Sequence, residues 1–70
     1  MTRNEKIVSV LQLAISKTGH CEWTDMVKAI NAAGIKITNW MVVRGILQWM
    51  IDQQMVVRDA DISVERYIAA

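Results

Sequence analysis

The chain contains no proline, a single cysteine and almost no excess of charge. Each absence excludes something. With no low-complexity segment and no internal repeat, nothing divides residues 1–70, and a chain of seventy residues forms one domain, too short for two. Cys21 has no second cysteine to pair with, so an internal disulfide is excluded and a reducing cytoplasm is the expected location. Eight Lys and Arg against seven Asp and Glu leave a net charge of +1. That is neither the basic surplus of a strong nucleic-acid binder nor the acidic surplus of a DNA mimic. No apolar run is long enough to span a bilayer, and "MTRNEK" leads into an amphipathic stretch where a signal peptide would be unbroken apolar. No membrane association is expected.

What the chain has in quantity is apolar side chains, at 53% of residues with a mean hydropathy of +0.20. A chain this short buries only about 60–65% of the surface its unfolded form exposes. Part of that apolar surface must therefore stay exposed or be covered by a partner.

The pattern along the chain predicts helix, short extended segment, helix, helix and hairpin. In "TRNEKIVSVLQLAISKTG", Thr2 and Glu5 have capping-box spacing, Ile7, Val10, Leu11, Ala14 and Ile15 recur at helical spacing, and Gly19 supplies the stop. "HCEW" reads as one extended segment. Thr24 is the expected cap of "DMVKAINAAG", with Asp25 in its first turn, Val27 and Ile30 inward beside Met26 or Ala33, and Gly34 at the end. "IKI" alternates as a bridge strand would. Thr38 or Asn39 then caps a third helix running to about Gln54. In "MVVRDADISVERYIAA", two strand-forming runs flank the turn-prone "DAD". Ile62, Val64 and Ile68 alternate with Ser63, Glu65 and Tyr67, which predicts a half-buried strand.

That order, together with the apolar spacing of "VRGILQWMIDQQMVVR" and the closing "ERYIAA", resembles the winged helix-turn-helix domain over nearly the whole chain. The resemblance implies a mainly α fold, three helices plus a C-terminal wing, with Val43, Leu47 and Met50 as the core of the third helix. It also implies an aromatic of the last strand packed back on the first helix. Three departures stand out: "GIKIT" is longer than the family's usual turn, Gln54 replaces the glycine before the wing, and "DAD" is an acidic wing tip.

On a wheel of roughly 100° per residue, Trp40, Val43, Ile46, Leu47, Met50 and Ile51 of the third helix form the core arc. Met41, Arg44, Gly45, Gln48 and Asp52 lie opposite, with Val42 and Trp49 along one flank. The family resemblance makes the opposite face the one offered to the major groove. Arg44 would reach guanine, Gln48 adenine and Met41 a thymine methyl, while Gly45 would allow close backbone approach. Lys36, Thr38, Asn39 and Arg58 complete the expected DNA-binding set. The same residues also suit an ordinary solvated helix face. Val42 and Trp49 read as a protein interface, most simply with a second copy, since Trp is enriched in interface hot spots and helix-turn-helix proteins pair to read half-sites. Lys28 and Arg66 are further candidates for the border of this helix, whereas Arg3, Lys6 and Lys17 belong to solvated surface.

No catalytic or metal constellation is legible. His20 and Cys21 are neighbours that point to opposite sides of an extended segment, and Asp59 and Asp61 belong to a turn. Cys21 is expected to be a small buried hydrophobe and His20 a surface residue. The chain is not expected to be an enzyme or to hold a cofactor. The leading expectation is a small dimeric DNA-binding transcriptional regulator of bacterial, phage or plasmid type. The alternative is a winged-helix interaction module that binds another protein through its exposed apolar face, as an adaptor or an inhibitor.

Overall fold

In the computed structural model, which describes residues 2–59 and 64–70, the first helix α1 (Arg3–Thr18) begins where the capping residue predicts. The Thr2 hydroxyl accepts from the Glu5 amide at 3.2 Å, and the Glu5 carboxylate closes back on that hydroxyl at 3.1 Å. In a full capping box it would take the cap's own amide. Gly19 ends the helix in the left-handed region (φ 82°), its amide donating to Ile15. Ile7, Leu11 and Ile15 are buried, while Val10 and Ala14 pack partly against the same core.

A short strand, β1 (His20–Glu22), leads directly into α2 (Trp23–Ala32). The helix therefore starts before Thr24, which is exposed and caps nothing. Glu22 is the cap residue, and its amide donates to the Asp25 carboxylate at 3.1 Å. The reason is tertiary. The Trp23 amide finds the Glu65 carbonyl at 3.2 Å, so the helix can begin without the Thr24 hydroxyl. Met26 and Ile30 are buried and Val27 is half-buried, whereas Ala33 is exposed.

"IKI" forms no strand. Ile35 and Ile37 pack against the core and Lys36 is exposed. Asn39 is the residue that stabilises the start of α3 (Met41–Asp52): its side-chain oxygen accepts from the Met41 amide at 3.1 Å. The helix stops at Asp52, two residues short of Gln54, and buries Val43, Leu47 and Met50 as expected.

The ends of α2 and α3 use the same device. Ile35 donates to Ile30 and Gly34 to Asn31; Met55 donates to Met50 and Gln54 to Ile51. Each pair is a Schellman closure, which needs a left-handed residue after the cap. Gly34 (φ 77°) meets that need at no steric cost, while Gln54 adopts φ 60° with a side chain attached.

Strands β2 (Val56–Arg58) and β3 (Arg66–Ala69) form the wing. The sheet order is β1-β3-β2, all neighbours antiparallel, so β3 is the middle strand. The last strand alternates, and its inward set is the one that holds Tyr67, the aromatic expected against the helices. Tyr67 is buried at 4% exposure, Ile68 is half-buried and Val64 is exposed at 48%. Pairing of Cys21 with Tyr67 across the sheet turns both toward the helices, which decides the phase. Ile62 and Ser63, with part of "DAD", lie outside the described residues. Three helices closed by a small antiparallel sheet give a mainly α fold with winged helix-turn-helix architecture.

Gln54→Gly removes the steric penalty of a left-handed side chain and should raise stability by about 0.5–1 kcal/mol. Urea unfolding of the two proteins measures it, and an unchanged or lower midpoint refutes the account.

Candidate nucleic-acid interface

The outer surface of α3 divides into two strips. One holds Met41 (69% exposed), Arg44, Gln48 and Asp52; the other holds Val42, Gly45 and Trp49 (49% exposed). Both strips follow from helical spacing around the buried row Val43, Leu47 and Met50.

Arg44 is the most constrained side chain on the polar strip. Its guanidinium lies 4.1 Å from the centre of the Trp23 ring, within cation–π range, and Trp23 in turn meets Trp40 edge-on at 6.1 Å. Nη1 donates to both oxygens of Glu65, at 3.2 and 2.9 Å. The Tyr67 hydroxyl donates to the same carboxylate at 2.6 Å. Glu65 thus sits where the wing meets α3 and is held by a cation and a phenol together. Both of these bonds to Glu65 come from one nitrogen, which leaves Nη2 and Nε outside the pair.

The protonation states follow from this packing. Burial pushes the Glu65 carboxyl up, yet the hydrogen bonds from Tyr67 and Arg44 and the charges of Arg44 and Arg58 outweigh it and hold the group below the usual carboxylate range. Burial, then the bond to Glu65 and its charge, push the Tyr67 hydroxyl up to about 12. Arg58 stands opposite Tyr67 in the β2–β3 register, and its charge lowers both groups.

The other expected DNA-contacting residues are distributed as follows. Lys36, Thr38 and Asn39 are exposed on the segment leading into α3. Gln48 donates Nε2 to Asp52 at 3.0 Å, one turn along the same strip. Gly45 is exposed, and a side chain there would begin in space open to the other described residues. Arg66 is drawn to Glu22 at 3.5 Å across the β1–β3 pair. Lys28 is exposed on α2, and Arg3, Lys6 and Lys17 are exposed on α1.

Sequence reasoning missed Glu65 and Trp23. Glu65 precedes β3 by one residue and is separated from Arg44 by twenty-one positions. Only the alternation of "SVERY" hinted that Glu65 and Tyr67 share a side. Val42 and Trp49, the expected flank, line a groove of about 640 Å³ together with Gly45 and Ile46, and its other wall is α1, with Asn4, Glu5, Val8 and Ser9.

Cys21 is buried, and that burial raises its thiol, with the Thr18 hydroxyl lowering it and the charge of Asp25 raising it. Among the described residues no group of three or more His, Cys, Asp or Glu is placed to hold a metal ion, and no helix is long and apolar enough to cross a membrane. No family model, curated protein or solved structure matches the chain.

Because the folded-state carboxyl of Glu65 lies below its unfolded value of about 4.3, its contribution is present above that pH and is lost as pH falls through the folded value. Glu65→Gln should therefore lower stability at neutral pH and flatten its decline on acidification. Urea midpoints between neutrality and about pH 3 test this; parallel curves for the two proteins would remove the pair from the account.

Proposed function

We propose that this chain is a small DNA-binding regulator that reads the major groove with α3, one protomer to a site. The observation that carries the reading is the state of Arg44. Trp23 and Glu65 hold its guanidinium at the junction of α3 and the wing, with Nη2 and Nε outside the Glu65 pair. A forked guanidinium needs two adjacent N–H groups to meet guanine O6 and N7, and orientation in advance lowers the entropy lost on contact. Gln48, turned along the helix by Asp52, keeps its second N–H and its carbonyl for adenine N6 and N7. Met41 stands clear for a thymine methyl, and Gly45 lets the helix backbone lie close.

Lys36, Thr38 and Asn39 approach the duplex from the start of α3, where helix amides also favour phosphate. Arg58 adds a contact from the wing. Glu65 has a cost in this scheme as well as a use, because its carboxylate repels phosphate while it orients Arg44. The net charge of +1 makes phosphate contacts few. The reading places the chain in the cytoplasm, where the buried Cys21 stays a thiol.

Fluorescence anisotropy with a selected duplex and scrambled controls tests this reading. Arg44→Ala should cost roughly 1–3 kcal/mol on the cognate site and relax the preference at one base pair. Lys36→Ala should weaken all sequences alike and lower the salt slope by about one contact. The slope itself should be shallow, at about −0.9 per neutralised phosphate. Absence of duplex binding at low salt would refute the nucleic-acid role.

A further inference from the structure

An acidic side chain is a poor neighbour for phosphate, yet Glu65 is fixed from several sides beside the polar strip of α3. Its backbone carbonyl accepts from the Trp23 amide at 3.2 Å. Its carboxylate accepts from the Tyr67 hydroxyl at 2.6 Å and from Arg44 Nη1 at 2.9 and 3.2 Å. The Tyr67 ring that carries this hydroxyl is buried.

An exposed ion pair exchanges with solvent at little cost. The Arg44–Glu65 pair has supports that such a pair lacks. A swing of Arg44 toward phosphate would take its guanidinium off the Trp23 ring, 4.1 Å away. It would also strand the carboxylate of a side chain only 23% exposed. The pair therefore persists.

A persistent pair treats the two kinds of acceptor on a duplex differently. Phosphate attracts a cation through its full charge, and a guanidinium neutralised by a carboxylate at 2.9 Å offers little of that attraction. Guanine O6 and N7 are neutral acceptors, which need N–H groups at contact distance and no net charge. Nη2 and Nε lie outside the Glu65 pair and keep those groups.

We infer that Glu65 determines the specificity of the α3 site, keeping Arg44 for guanine edges and away from phosphate. This rests on the nucleic-acid reading above. Glu65 is a positioning residue that acts through Arg44, and Tyr67 holds it in that role. The pair carries no net charge, so it adds nothing to the salt dependence of binding.

Fluorescence anisotropy of the full chain with a selected and a scrambled duplex, at about 50 and 200 mM salt, tests the inference. Glu65→Gln keeps an oxygen for Arg44 and Tyr67 but removes the charge. It should tighten binding to the scrambled duplex. Its loss of scrambled binding between the two salts should exceed that of the wild type by about three- to fourfold, the worth of one added phosphate contact. The cognate-to-scrambled affinity ratio should fall by roughly tenfold. Removing Arg44 as well, in Arg44→Ala with Glu65→Gln, should return the salt dependence to the wild-type value. Tyr67→Phe keeps the charge and loosens its hold, so the ratio should fall by a smaller factor at unchanged salt dependence. Circular dichroism at the assay temperature establishes that each variant is folded, and Tyr67→Phe serves as the test where Glu65→Gln is not. A folded Glu65→Gln with wild-type ratio and salt dependence overturns the inference, as does a salt dependence that stays steep in the double variant. An unchanged ratio in Tyr67→Phe overturns the role of the hydroxyl. Each of these outcomes leaves the nucleic-acid reading standing, whereas a wild type that binds no duplex at low salt removes both.

Discussion

Tyr67 lies in the middle strand of the sheet with its ring in the core and its hydroxyl on Glu65, and the placement of Arg44 on the exposed side of α3 depends on that contact. Because β3 pairs with both β1 and β2, the position of Tyr67 is set from two sides. Glu65, two residues earlier, is placed by it and then acts twice. Its carbonyl receives the first amide of α2, and its carboxylate receives Arg44. The start of one helix and the polar strip of another are thus aligned by the same residue. Fixing an acidic group beside a cation in this way works here because Tyr67 and Arg44 both donate to it, which offsets the desolvation that burial imposes.

The small size of the domain explains why α3 must carry three surfaces. A chain of seventy residues has too little interior to hide half its side chains, and α3 is the most apolar of the three helices. One row builds the core. A second row is polar, and its two longest side chains are tied down by carboxylates, Arg44 by Glu65 and Gln48 by Asp52. The third row ends in the groove against α1. Because the second and third rows adjoin, any large partner of one obstructs the other. This constraint comes from helix dimensions and is independent of which partner is bound.

The helix ends show a different economy. Both α2 and α3 close by the same hydrogen-bond pattern, and the chain then needs a left-handed residue each time. Gly34 fits. Gln54 does not, and the strain there is local and modest. It persists because Met55 must turn back toward the core to deliver Val56 into β2, beside the closed sheet.

Much of this protein was legible from residue order alone, for reasons of short range. Helix spacing gave the α1 stripe of Ile7, Leu11 and Ile15 and the α3 stripe of Val43, Leu47 and Met50, and Gly19 and Asn39 marked ends that depend only on neighbours. The two exposed strips of α3 followed from the same periodicity. What the sequence could not decide was settled by groups distant along the chain. The Glu65 carbonyl displaced Thr24 as the starting point of α2. Pairing with β1 chose the phase of β3 and turned Tyr67 inward. "IKI" had the alternation of a strand, yet Ile35 and Ile37 both pack against the core and the segment pairs with no strand. Arg44 looked like a free surface cation until the wing brought Glu65 to it. Propensity and periodicity act over a turn of helix, whereas a hydrogen bond or an ion pair between residues twenty positions apart exists only after the chain has closed on itself.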